Sequence, residues 1–309
     1  MTSHRLGIAL TALCASIGLA EAKDLNSVGI ISGPLGNSFY QSLAAGAEAG
    51  AKKINPNVKA TVTSYEGDLN KQFNLIDSFT AAGVDLIVLV GADPDAVTPA
   101  IKKAQAAGIV VVGMDAAANA ADANVVTDNL QGGEIVCAYL AEKISGKGNV
   151  VIINGPQVQG VIDRVNGCKS SLAKHPEISI VASQEGDASR DAGFSIMQTL
   201  MTQQPEIAGL FAINDPMAIG ADLAAKQAGR TGIVMVGFDG SPELIEVLKS
   251  GSMVEASASQ DPWALGFKAV EVGFDILNGK PPSEKLVKAP TGLVNRDNVS
   301  KYPGWRTSN

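Results

Sequence analysis

Residues 85–115 read DLIVLVGADPDAVTPAIKKAQAAGIVVVGMD. Two β-branched apolar runs, 86–90 and 109–112, flank an Ala-rich segment of helical period, and Gly108 closes that segment. Near-continuous apolar runs mark strands buried on both faces, and a helix between two of them makes a parallel βαβ unit. The same rhythm runs through the chain. Strands are predicted at 28–31, 59–65, 85–91, 109–115, 149–154, 178–184, 209–214 and 232–239. Helices are predicted near 38–54, 70–82, 94–107, 131–145, 160–174, 189–203, 216–228 and 241–250. The strands form two sets of about four, separated by NVVTDNLQGG (124–133). One eight-stranded sheet or a barrel would also hold that number. The break in spacing at DNLQGG favours two doubly wound α/β halves.

The first residues are read apart from the fold. Arg5 precedes an apolar core from Leu6 to Ala20, and Ala20-Glu21-Ala22 supplies a small-x-small cleavage pattern. This is the layout of a secretory signal, with cleavage expected after Ala22 and a mature chain beginning at Lys23. The core is shorter than the roughly 20 apolar residues of a membrane span. Leu13 before Cys14 is too bulky for lipoprotein processing. Apolar residues make up 46% of the chain and charged residues 18%, which suits a packed core and argues against disorder. The net charge of −7 comes with no Lys/Arg cluster, so nucleic acid and anionic membrane are poor partners. Cys137 and Cys168 both fall in helix-like segments, and the sequence leaves open whether they meet.

Ligands of open parallel sheets bind at the carboxyl ends of the strands. Standing at those ends are Asn37, Phe39, Tyr40, Asp115, Arg164, Asn214, Asp239 and Gln260, with Asp215 expected as a helix N-cap. Two carboxylates, two Asn, one Gln, one Arg and two aromatics form a set that hydrogen-bonds hydroxyls and covers C–H surfaces. The glycines of VGIISGPLGNSFY (28–40) raise the question of a phosphate cradle. Gly29, Gly33 and Gly36 lack the GxGxxG spacing, no GxxxxGK[ST] occurs, and the loop holds no Lys or Arg. The expectation is instead that these glycines let the backbone bend close to a ligand. Catalysis is not indicated. The only histidine after the leader, His175, lies in the polar turn AKHPE; there is no GxSxG elbow, and no His/Cys pair has metal-ligand spacing. Asp115 and Asp239 could form a glycosidase pair, but nothing marks one as a protonated acid. No cofactor is called for.

From about Asn26 to Leu286 the chain resembles the periplasmic sugar-binding proteins of the ribose-binding type, which serve ABC importers. The stretches that carry the resemblance include GNSFYQSLAAGAEAGAKK, AAGVDLIVLVGADPDAV, VVTDNLQGGEIVCAYLAEKI, FAINDPMAIGA, VMVGFDGSPE and ASASQDPWALG. Lactose-repressor-type regulators share VGFDG and INDPMAIGA, but a regulator would begin with a helix-turn-helix rather than an export signal. The resemblance implies two α/β lobes joined by three chain crossings, near Asp128, near Gln260 and within 286–290. The lobes are then 23–128 with 261–287, and 129–260 with 288–309, after a signal at 1–22. It implies that the eight strand-end residues contact a small neutral sugar or polyol. It further implies that the partners are permease subunits of an importer, that a chemoreceptor or sensor kinase is the alternative reader of the bound form, and that the protein is a periplasmic monomer. Two positions depart from the family pattern: Ala116 stands where Arg is common, and Ala188 where a bulky aromatic is common. D-ribose is therefore expected to bind weakly. If Trp263, just beyond Gln260, fills the vacated volume, a polyol of four or five carbons is suited; if no side chain fills it, a longer ligand fits, and the first is the reading favoured here.

Overall fold

The computed structural model describes residues 23–306; the expected signal at 1–22, its cleavage after Ala22, and Cys14 lie outside the described residues. The chain starts with β1 (Ser27–Ser32), α1 (Ser38–Ile54), β2 (Lys59–Ser64), α2 (Leu69–Ala82), β3 (Leu86–Leu89), α3 (Thr98–Ala106), β4 (Val110–Met114) and β5 (Ala123–Thr127). It continues with α4 (Asn129–Lys143), β6 (Lys147–Asn154), α5 (Gln159–Leu172), β7 (Glu177–Glu185), α6 (Arg190–Gln203) and β8 (Gly209–Ala212). Then follow α7 (Asp215–Gln227), β9 (Val234–Asp239), α8 (Pro242–Lys249), β10 (Val254–Ser259), α9 (Pro262–Leu277), β11 (Leu286–Ala289) and β12 (Gly292–Asn295).

Two six-stranded sheets result, ordered β2-β1-β3-β4-β5-β11 and β7-β6-β8-β9-β10-β12. The order is the same in both, and every pairing is parallel except β10 with β12. Each sheet has its own buried core: β1, β3 and β4 carry the first and β6, β8 and β9 the second. The chain changes sheets after Thr127, after Ser259 and after Ala289. The helices that follow the first two changes cover the newly entered lobe, α4 packing on β9 and β10, and α9 on β4 and α1. The predicted alternation is therefore present, with four strands beyond the eight predicted: β5, β10, β11 and β12. The extra strands are four to six residues long, and β10 is built of Ala, Ser and Glu around one Val, so β-branching does not announce it and only the strand-end reading of Gln260 points to it. Helix α3 begins later than the predicted 94, because Asp93 caps a separate turn through Ala96 N and Pro99 opens the helix itself.

Three helix pairs cross at reciprocal glycines. A Cβ on Gly46 of α1 would overlap the carbonyl of Trp263 in α9, and one on Gly266 would overlap that of Leu43. Gly133 and Gly167 stand in the same relation between α4 and α5, as do Gly193 and Gly220 between α6 and α7. Beside the second of these crossings Cys137 and Cys168 form a disulfide, with Cα atoms 5.0 Å apart and both side chains fully buried. The bridge fits a chain that folds in an oxidising compartment. It closes a loop of sequence separation 31, for which chain entropy gives about 3–4 kcal/mol. The double variant Cys137→Ala/Cys168→Ala should lose stability of that order in urea unfolding. Reductant should lower the wild-type midpoint by a matching amount and leave the variant's midpoint where it was.

Candidate ligand-binding site

A cavity of about 610 Å³ lies between the carboxyl ends of the two sheets, and all eight strand-end residues line it: Asn37, Phe39, Tyr40, Asp115, Arg164, Asn214, Asp239 and Gln260. Ser38, Asp187, Ala188, Ser189, Ile213, Glu243 and Trp305 complete much of the wall. The first sheet contributes the start of α1 and the residue after β4; the second contributes α5 and the loops after β7, β8 and β9.

On the first-lobe side, Asn37 caps α1, its side-chain oxygen accepting from Phe39 N at 2.9 Å. The two turn glycines nearest the site have different surroundings. A Cβ on Gly33 would lie 2.6 Å from the Tyr40 ring, so Gly33 makes room for that ring, whereas Gly36 faces open space. Phe39 meets Tyr40 edge-on, with centroids 5.4 Å apart. Burial raises the Tyr40 phenol well above its usual value, so it is a neutral hydroxyl at any working pH. Asp115 follows β4 with φ +66, a left-handed conformation that turns the chain out of the strand. Burial pushes the Asp115 carboxyl up to about 7; Arg164 pulls against this and Asp239 reinforces it.

On the second-lobe side, Arg164 is fixed from several directions. Its Nε donates to Asn129 Oδ1 at 2.8 Å, its Nη1 donates to Ile213 O at 2.8 Å, and it pairs with Asp239 at 3.4 Å. The guanidinium lies 3.8 Å from the centre of the Phe238 ring. Asp239 also accepts from Gln260 Nε2 at 2.7 Å, and Gln260 Oε1 accepts from Thr127 Oγ1 at 2.8 Å. Asp239 has φ +128 and Ala188 φ +68, so together with Asp115 three strand-end residues of the cavity hold strained backbone.

Asn214, not Asp215, is the N-cap of α7: its Oδ1 accepts from Met217 N at 3.0 Å, while its Nδ2 donates to Ala188 O at 2.8 Å. Asp215 starts the helix and turns inward, fully buried, accepting from Ser241 N at 2.7 Å and Ser257 Oγ at 2.6 Å. Burial and the neighbouring Asp239 raise its carboxyl well above the ordinary range. It shapes the 239–241 turn from beneath and does not line the cavity.

Trp263 is not the filler the sequence suggested. It lies in a separate groove with Phe267 and Arg306, stacked on Phe267 with centroids 4.9 Å apart. The indole at the cavity is Trp305, edge-on to Phe39 at 5.4 Å, with Nε1 donating to Gln260 O at 3.0 Å and Asp239 O at 3.2 Å. Trp305 sits in a short tail beyond the matched stretches, where neither strand nor helix periodicity draws attention to it. Asn129 was also missed: it falls in the DNLQGG break ahead of the helix predicted from 131, whereas in the structure it is the first residue of α4.

A two-lobed α/β chain whose strand-end loops aim hydroxyl-binding groups into one shared cavity is a solute-binding protein. Comparison with known proteins agrees. Residues 28–281 match the family model described as a periplasmic binding protein domain. A ribose import binding protein of Salmonella typhimurium is 32% identical over 286 residues, spanning 90% of this chain and 93% of that one. A xylitol-binding protein of Mycolicibacterium smegmatis is 32% identical over 301 residues, spanning 95% of this chain and 84% of that one. The solved structure of an ABC transporter periplasmic solute-binding protein from Actinobacillus succinogenes, with bound D-allose, superposes with a TM-score of 0.82 at 30% identity. That match covers 90% of this chain and 100% of the other. The chain belongs to the periplasmic binding protein family, with the two-lobed fold of its type I members.

The Asp115 carboxyl gives the site a pH signature. Its folded value of about 7 exceeds the unfolded value of about 3.9, so between those limits the folded chain keeps a proton that the unfolded chain has released. Its contribution to stability therefore falls as pH rises through that window and stays flat above it. The charged or phenolic groups facing it are Arg164, Asp239, Tyr40 and Tyr65. Asp115→Asn keeps the shape, tolerates the left-handed backbone and removes the charge. Without ligand, the variant should melt about 2–4 °C above wild type at pH 8, equivalent to about 1 kcal/mol, and the gap should close by pH 4. Calorimetric melting across that range checks it; a gap independent of pH would rule out this titration as the cause.

Proposed function

We propose that this chain is the periplasmic solute-binding component of an ABC importer and takes one monosaccharide or small polyol into the cavity between its lobes. The observation that carries the reading is the convergence of the eight strand-end residues on one cavity from both sheets. Each has a chemical role toward a neutral polyhydroxylated ligand. Asp115 and Asp239 accept from hydroxyls, and Asn37, Asn214 and Gln260 bridge neighbouring ones. Arg164 keeps Nη2 without a protein acceptor among the described residues, which leaves a fixed donor for a ligand oxygen. Phe39 and Tyr40 cover the C–H faces. The relatives named above for ribose and xylitol, and the structure holding D-allose, all concern neutral molecules of this class. Binding, not chemical transformation, is the activity.

The first lobe is taken as 23–128 with 261–287, extended to Ala289 because β11 pairs with β5 through that residue. The second is taken as the remainder, and export with cleavage after Ala22 delivers the mature chain. A ligand that bonds both lobes favours the closed arrangement in proportion to the contacts it makes only there, and a permease then reads the closed surface.

Titration calorimetry with tetritols, pentitols, pentoses, hexoses and inositols tests the reading. One or more should bind, with D-ribose among the weaker. Asp239→Ala should reduce affinity for the best of them about ten- to a hundredfold, since hydrogen bonds to charged groups contribute about 1.5–3 kcal/mol. Solution scattering should show a smaller radius of gyration at saturation. If no member of the panel binds the wild type, the assignment is wrong.

A further inference from the structure

The three crossings joining the sheets are accompanied by a fourth connection that the sequence did not announce. After β12 the chain stays with the second lobe: Val299 is buried in that core, and the Tyr302 hydroxyl donates to Gly240 O at 3.1 Å. Trp305 then donates to the carbonyls of Asp239, at the end of β9, and Gln260, at the second crossing. One residue later the chain is bonded to the first lobe. The fully buried Ser42 of α1 donates to Arg306 O at 2.6 Å. The Arg306 guanidinium lies over Trp263 of α9, 3.7 Å from the ring centre, and reaches Asp261 at 2.9 Å. Within five residues the tail touches the second lobe, the hinge and the first lobe.

Its position matters for what the cavity holds. The first lobe presents two aromatic rings, Phe39 and Tyr40, whereas the second-lobe wall is lined by Val161, Ala188, Ile213, Pro216, Pro242 and polar groups, with no aromatic side chain among them. Trp305 is the third aromatic on the wall, and its N–H is held by two backbone carbonyls, so the ring cannot turn away without breaking those bonds. We propose that residues 302–306 form a strap linking the lobes across the hinge, and that the strap presents Trp305 as a ligand-facing wall that sets affinity and size selection. This rests on the sugar or polyol reading of the same cavity. In this role Trp305 supplies a large rigid apolar face, the kind of surface that covers the C–H side of a polyol, and its place on the same wall as Ala188 limits the length of ligand that fits.

The test uses the mature full-length protein, with xylitol, D-ribose and D-allose as probes. For whichever probe binds wild type most tightly, Trp305→Ala should lower affinity about tenfold or more, and Trp305→Phe should retain part of it. Ending the chain at Gly304 should do the same as Trp305→Ala. Far-UV circular dichroism checks that each variant is folded. The chain has two tryptophans, so Trp263→Phe makes Trp305 the sole reporter. In that protein, without any probe, acrylamide should quench Trp305 far less than free indole, and saturation with the binding probe should shift its emission. An affinity of folded Trp305→Ala within twofold of wild type overturns the proposal. Quenching of Trp305 as efficient as that of free indole overturns it too, and that measurement needs no ligand. If wild type binds neither these probes nor any member of the wider panel while Trp305 remains protected, the strap stands and the sugar or polyol reading is what fails.

Discussion

The site and the hinge are one hydrogen-bonded ring. Thr127 Oγ1 donates to Gln260 Oε1, Gln260 Nε2 to Asp239, Arg164 Nη1 to the same carboxylate oxygen, Arg164 Nε to Asn129 Oδ1, and Asn129 Nδ2 to Thr127 O. Two of its members, Thr127 and Asn129, flank the first crossing, and a third, Gln260, sits at the second. The remaining pair are the ions of the second-lobe wall. The third crossing is tied alongside by Asp128 N donating to Ala289 O at 2.8 Å and by Thr291 bonded to Gln131. A buried guanidinium and carboxylate require such partners, since an unpaired charge there would destabilise the fold by several kcal/mol. The ring meets that need and, in doing so, fixes the position from which Asp239 and Arg164 face the cavity.

Glycine packing sets the directions from which the side chains arrive. The α1/α9, α4/α5 and α6/α7 pairs cross so closely that backbone lies against backbone, which any Cβ at Gly46, Gly133, Gly167, Gly193, Gly220 or Gly266 would prevent. Each crossing is near the amino-terminal end of at least one helix, the end that points to the cavity. Phe39 and Tyr40 lead α1, Arg164 lies early in α5, and Ser189 caps α6. Close packing of the helices thus limits how far these side chains can drift, because interiors at this density transmit displacement rather than absorb it. The Cys137–Cys168 bridge pins one of the three crossings covalently.

How much of this was legible follows from what leaves a trace along a chain. Parallel topology puts every strand's carboxyl end on one edge, so the strand-end residues could be collected before any contact was known, and Asp115, Asn214 and Asp239 were read that way. The same logic failed by one position at Asn214-Asp215, where either residue could cap the helix. The outcome depends on the Ser241 and Ser257 donors that draw Asp215 inward, and neither is near it in sequence. Gly33 was read as a bend toward ligand, yet its use is decided by a ring seven residues away. Strands β10, β11 and β12 are too short or too poor in branched residues to show a period, and their pairing is supplied by neighbours. Trp305 is the furthest case: the two carbonyls that hold its N–H are some 45 and 66 residues back along the chain. Of the two tryptophans, the one nearer Gln260 in sequence is the one farther from the site.

Charge narrows what the cavity accepts. Its interior holds two carboxylates, Asp115 and Asp239, against the single guanidinium of Arg164, which is already paired with Asp239. At the rim stand Asp187 and Glu243, the latter paired with Arg190. An anionic sugar, whether an acid or a phosphate ester, would set its charge beside Asp239 and, above about pH 7, beside an ionised Asp115 as well. At 4 Å and an effective dielectric constant of 20, each such repulsion is about 4 kcal/mol before screening. A neutral polyol meets the opposite situation. Its hydroxyls donate, the carboxylates accept, and Asp115, which among the described residues has no cationic partner of its own within hydrogen-bonding range, gains most from a donor that lets it stay ionised. Ala188 puts only a small side chain on the wall, while Trp305 supplies an aromatic one. Under the proposed reading, selection in this pocket rests on where the hydroxyls of a neutral sugar or polyol stand relative to the Asp115 acceptor, not on compensation of charge.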